Sequence, residues 1–191
     1  GTKGARTAVL PVVAERIALP QRGATCALHE WLPPDIAASY LDPELLREDP
    51  AAVSSRSKVH ATAENWARLL RRFDSAGMLV LARVAEIPRD AARRVPRNGF
   101  FAVSKDADAD RSVCSRVPRN RMEKQLGLAQ ELLPHGSQFC EMQLDTDEDA
   151  VVDAADRDNF YHKCSVSRER ALTNAIGPPM SAAALADTVA L

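Results

Sequence analysis

Apolar residues recur at three- and four-residue spacing over 58–76. Ala61, Trp66, Leu69, Leu70 and Phe73 form one stripe, and Glu64, Arg68, Arg71 and Arg72 fill the other face. That period predicts an amphipathic helix packed on a core, with Gly77 as its C-terminal stop. The pattern then shifts to short apolar runs. Met78-Leu-Val-Leu-Ala-Arg-Val84 predicts a strand, a basic loop covers 88–98, and Phe100-Phe-Ala-Val103 predicts a second strand. An acidic turn at 106–110 leads into Arg111-Ser-Val-Cys-Ser115, so 100–115 reads as a hairpin with a five-residue connection.

Other segments carry weaker patterns. In residues 1–57, Pro11, Pro20, Pro33, Pro34, Pro43 and Pro50 interrupt every run, which predicts an irregular lead-in wrapped on the rest. Short helices are expected at 35–41 and at 43–48, the latter with Asp42 as N-cap and Pro43 in its first turn. Further on, a short helix is predicted over 121–133, ended by Pro134 and Gly136, and a strand or short helix over 138–144. Ala150-Val-Val-Asp-Ala-Ala155 suits a buried strand or a helical turn, and a helix at about 167–175 stops at Gly177-Pro178-Pro179. The small, apolar tail 180–191 shows no turn chemistry, and with an opening Gly-Thr-Lys the chain reads as a fragment. Three segments result: 1–57, 58–179 and 180–191.

Composition narrows the class. Of 191 residues, 46% are hydrophobic, 27% charged and 5% aromatic, with eight Gly, twelve Pro and four Cys, which excludes collagen-like, mucin-like and cysteine-stapled chains. No window of eighteen apolar residues lacks charge, so no membrane partner is expected. Cys26, Cys114, Cys140 and Cys164 are scattered without zinc-type pairing. With no signal peptide, they read as reduced thiols of an intracellular protein, cytoplasmic or nuclear.

Charge changes the picture more than composition does. The formal net of −1 conceals a partition: residues 51–124 carry sixteen basic and eight acidic groups, and residues 125–162 carry one basic and nine acidic. A polyanion site beside a carboxylate cluster has that form, as do two solvated faces of opposite sign. The bases include twenty Arg against five Lys. Arg favours bidentate phosphate contacts, although G+C-rich coding also raises its use. The pentapeptide Arg-Val-Pro-Arg-Asn occurs at 94–98 and again at 116–120.

Ordered motifs in 98–179 resemble the fingers-and-palm portion of retroelement reverse transcriptases, in a divergent branch. Gly99-Phe-Phe-Ala-Val-Ser-Lys105-Asp is similar to the strand-and-lysine motif of the fingers. Arg111-Ser-Val-Cys-Ser-Arg116-Val-Pro-Arg-Asn120 is similar to an Arg-Leu-Ile-x-Asp-x-Arg-x-x-Asn signature, with Ser115 where the family carries Asp, and Leu133-Pro134 follows it. Asp156-Arg-Asp-Asn-Phe160-Tyr161-His162 looks like the first catalytic palm motif. The segment Leu69-Leu-Arg-Arg-Phe-Asp-Ser-Ala-Gly77-Met also looks like the stretch that precedes the fingers hairpin.

The resemblance implies an α+β fold: a fingers hairpin and partial palm of a polymerase-like right hand, behind an irregular helical lead-in. It implies nucleotidyl transfer in RNA-directed DNA synthesis with Mg²⁺, an RNA or DNA template-primer and dNTP. Asp156 would be the first metal-binding catalytic carboxylate. Lys105 and Arg111 would reach the incoming triphosphate, and Tyr161 would lie under the sugar. Arg94, Arg97, Arg116 and Arg119 would follow template phosphates without sequence preference. No Tyr-x-Asp-Asp occurs in the sequence, so this chain alone is expected to be inactive.

Structural alternatives stand beside each role. Lys105 and Arg111 flank Asp106, Asp108 and Asp110, which suits a surface hairpin that neutralises itself. Asp156 suits a helix N-cap or a partner of Arg157 or Arg168; Tyr161 a core aromatic; His162 a polar strand residue; Asn120 and Glu123 turn or cap residues. For the whole chain, the alternatives are a non-catalytic nucleic-acid-binding module using the basic segment 56–124, or a degenerate retroelement remnant without function.

Overall fold

The computed structural model describes residues 8–48, 57–124, 143, 145–147 and 160–190. Among them are five α-helices: α1 (Pro34–Leu41), α2 (Ala63–Ser75), α3 (Val117–Asn120), α4 (Phe160–Lys163) and α5 (Arg168–Thr173). Strands β1 (Gly99–Ser104) and β2 (Asp110–Ser115) pair antiparallel, so the fold is mixed α+β. The chain divides into two units, residues 1–124 with 159–191 and residues 125–158, and all seven elements belong to the first.

The amphipathic stripe forms α2, which starts later than the period suggests. Thr62 has extended backbone, and its hydroxyl accepts the Asn65 amide at 3.2 Å, capping the helix there. Residues ahead of the cap are drawn into the sheet instead: Val59 bridges Phe100, with Phe100 N donating to Lys58 O and His60 N to Phe100 O. Trp66, Leu69, Leu70 and Phe73 are buried on the inner face of α2. Burying each such side chain stabilises the fold by roughly 1.5–3 kcal/mol. Gly77 then takes φ +67°, the left-handed conformation that ends a helix without steric cost.

The expected hairpin forms, but its turn lies one residue earlier than 106–110. The register runs from Gly99 opposite Ser115 to Ser104 opposite Asp110, with residues 105–109 as the tip, because Asp110 is drawn into β2 and held there by Arg16. Phe100 and Ala102 turn inward and are almost fully buried. Phe100 sits between two rings of α2, 5.4 Å from Trp66 and 6.1 Å from Phe73 between centroids, both in the tilted or edge geometry aromatic pairs favour. Gly177, at φ +78°, lies so close to the Trp66 indole that an added Cβ would come within 2.9 Å of it.

Three expectations need correction. Met78–Val84 forms no strand; its backbone joins no ladder, and a 3-10 turn begins at Val84. The outward-facing groups of β1 are already used: Leu10 exchanges both backbone bonds with Ala102, and 58–60 serves Phe100. Met78, Leu79 and Leu81 still pack on the core, while Val80 is exposed. The helix predicted from 121 is absent over 121–124, where Met122 N bonds to Arg119 O and Glu123 bridges Arg47; residues 125–133 lie outside those described. The tail, expected to lack turn chemistry, makes a 3-10 turn at Ala182–Leu185 and buries Leu185 in the core. It is fastened to α2 by Arg71 with Asp187 at 2.7 Å and by the Asp74 carboxylate, which accepts the Val189 and Ala190 amides.

Elsewhere the local chemistry acts as its residues suggest. The Asp42 carboxylate accepts the Glu44 amide ahead of a 3-10 turn at Pro43–Leu46, and Ser167 caps α5 through the Arg170 amide. Val12, Ala14 and Ile17 of the proline-interrupted N-terminal stretch are core residues. The expectations for 138–144 fall almost wholly, and that for 150–155 wholly, outside the described residues. Among the described residues no helix is long and apolar enough to cross a membrane.

Phe100→Ala should lower stability by about 3–5 kcal/mol, since it empties the space between two rings that cannot close together. Val80→Ala, at an exposed position, should stay within about 0.5 kcal/mol. Urea denaturation followed by tryptophan fluorescence measures both.

Candidate functional site

The hairpin tip is held by its own backbone and by one distant arginine. Lys105 N and Asp106 N both donate to Ala109 O, and the Asp106 carboxylate accepts the Asp108 and Ala109 amides at 2.9 and 2.8 Å. Those amides hold the Asp106 carboxyl below its ordinary value. Asp110, 2% exposed, is gripped by the Arg16 guanidinium through Nε at 3.0 Å and Nη2 at 3.2 Å. Such a forked pair compensates a buried carboxylate that would be costly alone.

With Asp106 and Asp110 so engaged, Lys105 and Arg111 are exposed and, among the described residues, in no ion pair. Arg111 pairs across the ladder with Val103, on the sheet face opposite Phe100 and Ala102. The two cations thus share the tip region, away from the core.

A second feature is a cleft of about 1660 Å³ floored by Trp66, Phe73 and Phe100. Arg94, Arg97, Arg116, Arg170 and Tyr161 line it; Lys105, Arg111 and Arg119 do not. Tyr161 is 89% exposed, with Phe160 edge-on at 5.6 Å. His162 contacts the Ser112 hydroxyl at 3.3 Å, and burial pushes its imidazole below the ordinary value. Arg97 is exposed. Arg94 is tied to Asp90 at 2.9 Å; burial raises the Asp90 carboxyl, but the Arg94 amide and guanidinium outweigh it and hold the group low.

The third feature is a guanidinium cluster. Arg116 Nη2, Arg119 Nε and Arg170 Nη1 all contact one oxygen of Glu123, at 3.3, 3.1 and 3.3 Å. Arg119 is 1% exposed, and among the described residues its Nη1 and Nη2 have no partner; Arg116 Nε is likewise buried and unpartnered among them. Arg170 also donates to Ser39 O, and to Tyr40 O at 3.1 Å. Burial pushes the Arg170 guanidinium down; Glu123 opposes that and the two neighbouring arginines add to it.

The residues singled out in sequence are therefore divided. Lys105 and Arg111 are at the tip, Arg94, Arg97, Arg116 and Tyr161 line the cleft, and Arg119 is interior. Asp156 lies outside the described residues. Among the described residues no three His, Cys, Asp or Glu side chains converge to hold a metal ion. Sequence reasoning missed the role of Glu123 and the whole of Arg170. The four-residue spacing of Arg119 and Glu123 was a signal for their pair; nothing local joins either to Arg170.

No protein-family model, no curated protein and no solved structure matches this chain.

The depressed His162 imidazole sets a pH dependence. The folded state binds fewer protons than the unfolded chain between the lowered value and the unfolded one, ~6.5. Stability is full above that window and falls as pH drops through it. The urea midpoint should thus be lower at about pH 5 than at about pH 7.5, and His162→Gln should remove part of the difference.

Proposed function

We propose that this chain is the fingers portion and the beginning of the palm of a reverse-transcriptase-like, RNA-directed DNA polymerase. In this reading the hairpin of β1 and β2 is the fingers hairpin, and Lys105 and Arg111 meet the phosphates of an incoming dNTP. Arg97 and its exposed neighbours Arg89 and Arg93 lie along the template strand as sequence-independent phosphate contacts. Asp156 supplies one carboxylate toward Mg²⁺, whose charge would offset that developing on the transferred phosphoryl group.

The observation that supports this most is the state of the hairpin tip. A hairpin that merely neutralised itself would pair Lys105 and Arg111 with Asp106 and Asp110. The Asp106 and Asp110 carboxylates are engaged by loop amides and by Arg16. Lys105 and Arg111 are exposed without an ion pair among the described residues, although the Lys105 charge adds to what holds Asp106 low and Asp108 also lies at the tip. Exposed cations on two arms of one hairpin are what polyphosphate recognition requires. Arg116 and Arg119 are committed to Glu123 and have no part in this strand contact.

A second reading has its own support. Arg89, Arg93 and Arg97 are exposed on a loop that carries no aromatic residue, an arrangement suited to backbone-only binding without catalysis. A salt titration separates the readings. If the hairpin is the fingers, Lys105→Ala with Arg111→Ala should weaken binding of a deoxynucleoside triphosphate to a preformed template complex. If the chain is only a binding module, Lys105→Ala with Arg111→Ala should leave no triphosphate effect, while Arg93→Ala with Arg97→Ala should reduce the salt slope of nucleic-acid binding by about 2.

The 191 residues alone should give no primer extension with Mg²⁺ or Mn²⁺, since one motif carboxylate cannot hold two ions. Templated incorporation in a gel assay would overturn that expectation.

A further inference from the structure

We infer that the Arg116–Arg119–Arg170 cluster is a binding site for a single tetrahedral phosphate-class dianion, reached from the cleft and separate from the hairpin tip. Two independent observations carry this. The first is charge. Three guanidiniums converge on one Glu123 oxygen, and among the described residues no other carboxylate pairs with any of them, so the cluster holds a surplus of two positive charges. Arginine does not shed its proton to relieve such crowding, so the surplus persists at every ordinary pH.

The second observation is donor supply. Arg119 is 1% exposed, yet among the described residues Nη1 and Nη2 find no acceptor, and Arg116 Nε is also buried without a partner among them. Buried charged donors left unmade are costly, and native proteins rarely tolerate three of them in one place. An anion of charge −2 in the cleft answers the charge surplus through Arg116 and Arg170, which line it, while Arg119, which does not, adds its charge from the interior. A carboxylate balances half of the surplus, and chloride offers no directed acceptors. Phosphate in its dianionic form, free or as the end group of a phosphate monoester, fits the charge and offers the forked acceptors that guanidiniums favour.

Access follows from the positions of two members. Arg116 retains 31% of its side-chain exposure, and both Arg116 and Arg170 line the cleft. Arg170 is anchored by the Ser39 and Tyr40 carbonyls, so its guanidinium is positioned before any ligand arrives. Glu123 holds the three cations together in the absence of the anion and competes with it when it comes.

The test uses the whole chain and inorganic phosphate, with a nucleoside 5′-monophosphate as a second arm and acetate as a control, all at fixed ionic strength. Calorimetry should show saturable phosphate binding with acetate inert. Equal affinity for the monophosphate identifies the phosphate group alone as the determinant, and tighter binding identifies a nucleotide that also uses the apolar floor. Arg116→Gln should weaken phosphate roughly tenfold. Glu123→Gln, which removes the internal competitor, should strengthen it, and Arg68→Gln, on the exposed face of α2, should leave it unchanged. Should these variants not fold, phosphate should still protect Arg116 and Arg170 of the natural chain from an arginine-modifying dicarbonyl while Arg68 reacts freely. Absence of phosphate binding, an equal effect of Arg68→Gln, or uniform protection of all arginines would overturn the site. Triphosphate binding through Lys105 and Arg111 is measured separately and stands or falls without it.

Discussion

Phe100 is the residue on which the described fold depends. A two-stranded hairpin is marginal in water by itself, and this one gains support because Phe100 reaches between Trp66 and Phe73 on α2. The contact fixes which sheet face is inward. From that follow the outward placement of Arg111, the burial of Ala102 beside Leu10, and the closure of the edge of β1 by residues 58–60. Trp66 in turn meets Gly177, so the segment after α5 is positioned by the same aromatic group.

Arginine does two kinds of work in this chain, and a charge count does not distinguish them. Arg16, Arg71, Arg94, Arg116, Arg119 and Arg170 each face a carboxylate inside the molecule, three of them the same one. Exposed pairs such as Arg71 with Asp187 contribute little. The Arg16 fork on buried Asp110 contributes through what its loss would leave uncompensated. The net +8 of residues 51–124 is therefore smaller as a field felt by a partner than as a tally. Lys105, Arg111 and the loop around Arg89–Arg97 are among the cations that remain open to solvent, with Lys58, Arg83 and Lys124.

The legible parts were those in which a pattern and its partner lie close in the chain. The stripe from Trp66 to Phe73, the Asp42 cap and the hairpin with its five-residue tip all declare themselves through spacing within a dozen residues or so. Met78–Val84 misled because an apolar run cannot show that the edge it would join is already occupied by Leu10 and Val59. The start of α2 was misjudged because Thr62 competes as a cap with a period that extends past it. Of the candidate site, Lys105 and Arg111 were legible as exposed cations on a hairpin. The gathering of Arg170 onto Glu123, 47 residues away, leaves no trace in local sequence.

The Arg16 fork on Asp110 joins residues 94 positions apart; Leu10 likewise bridges Ala102, and Leu185 joins the core that the inner face of α2 helps to form. Such separations make the order of assembly uneven. The hairpin and α2 can meet soon after both have left the ribosome, since only a short stretch lies between them. The groove that receives Leu185 stays open until about seventy further residues are made, and loop closure on that scale is slow. During synthesis the nascent chain therefore carries an unfinished apolar surface around Trp66, and chaperone capture at that surface is the hazard this topology creates.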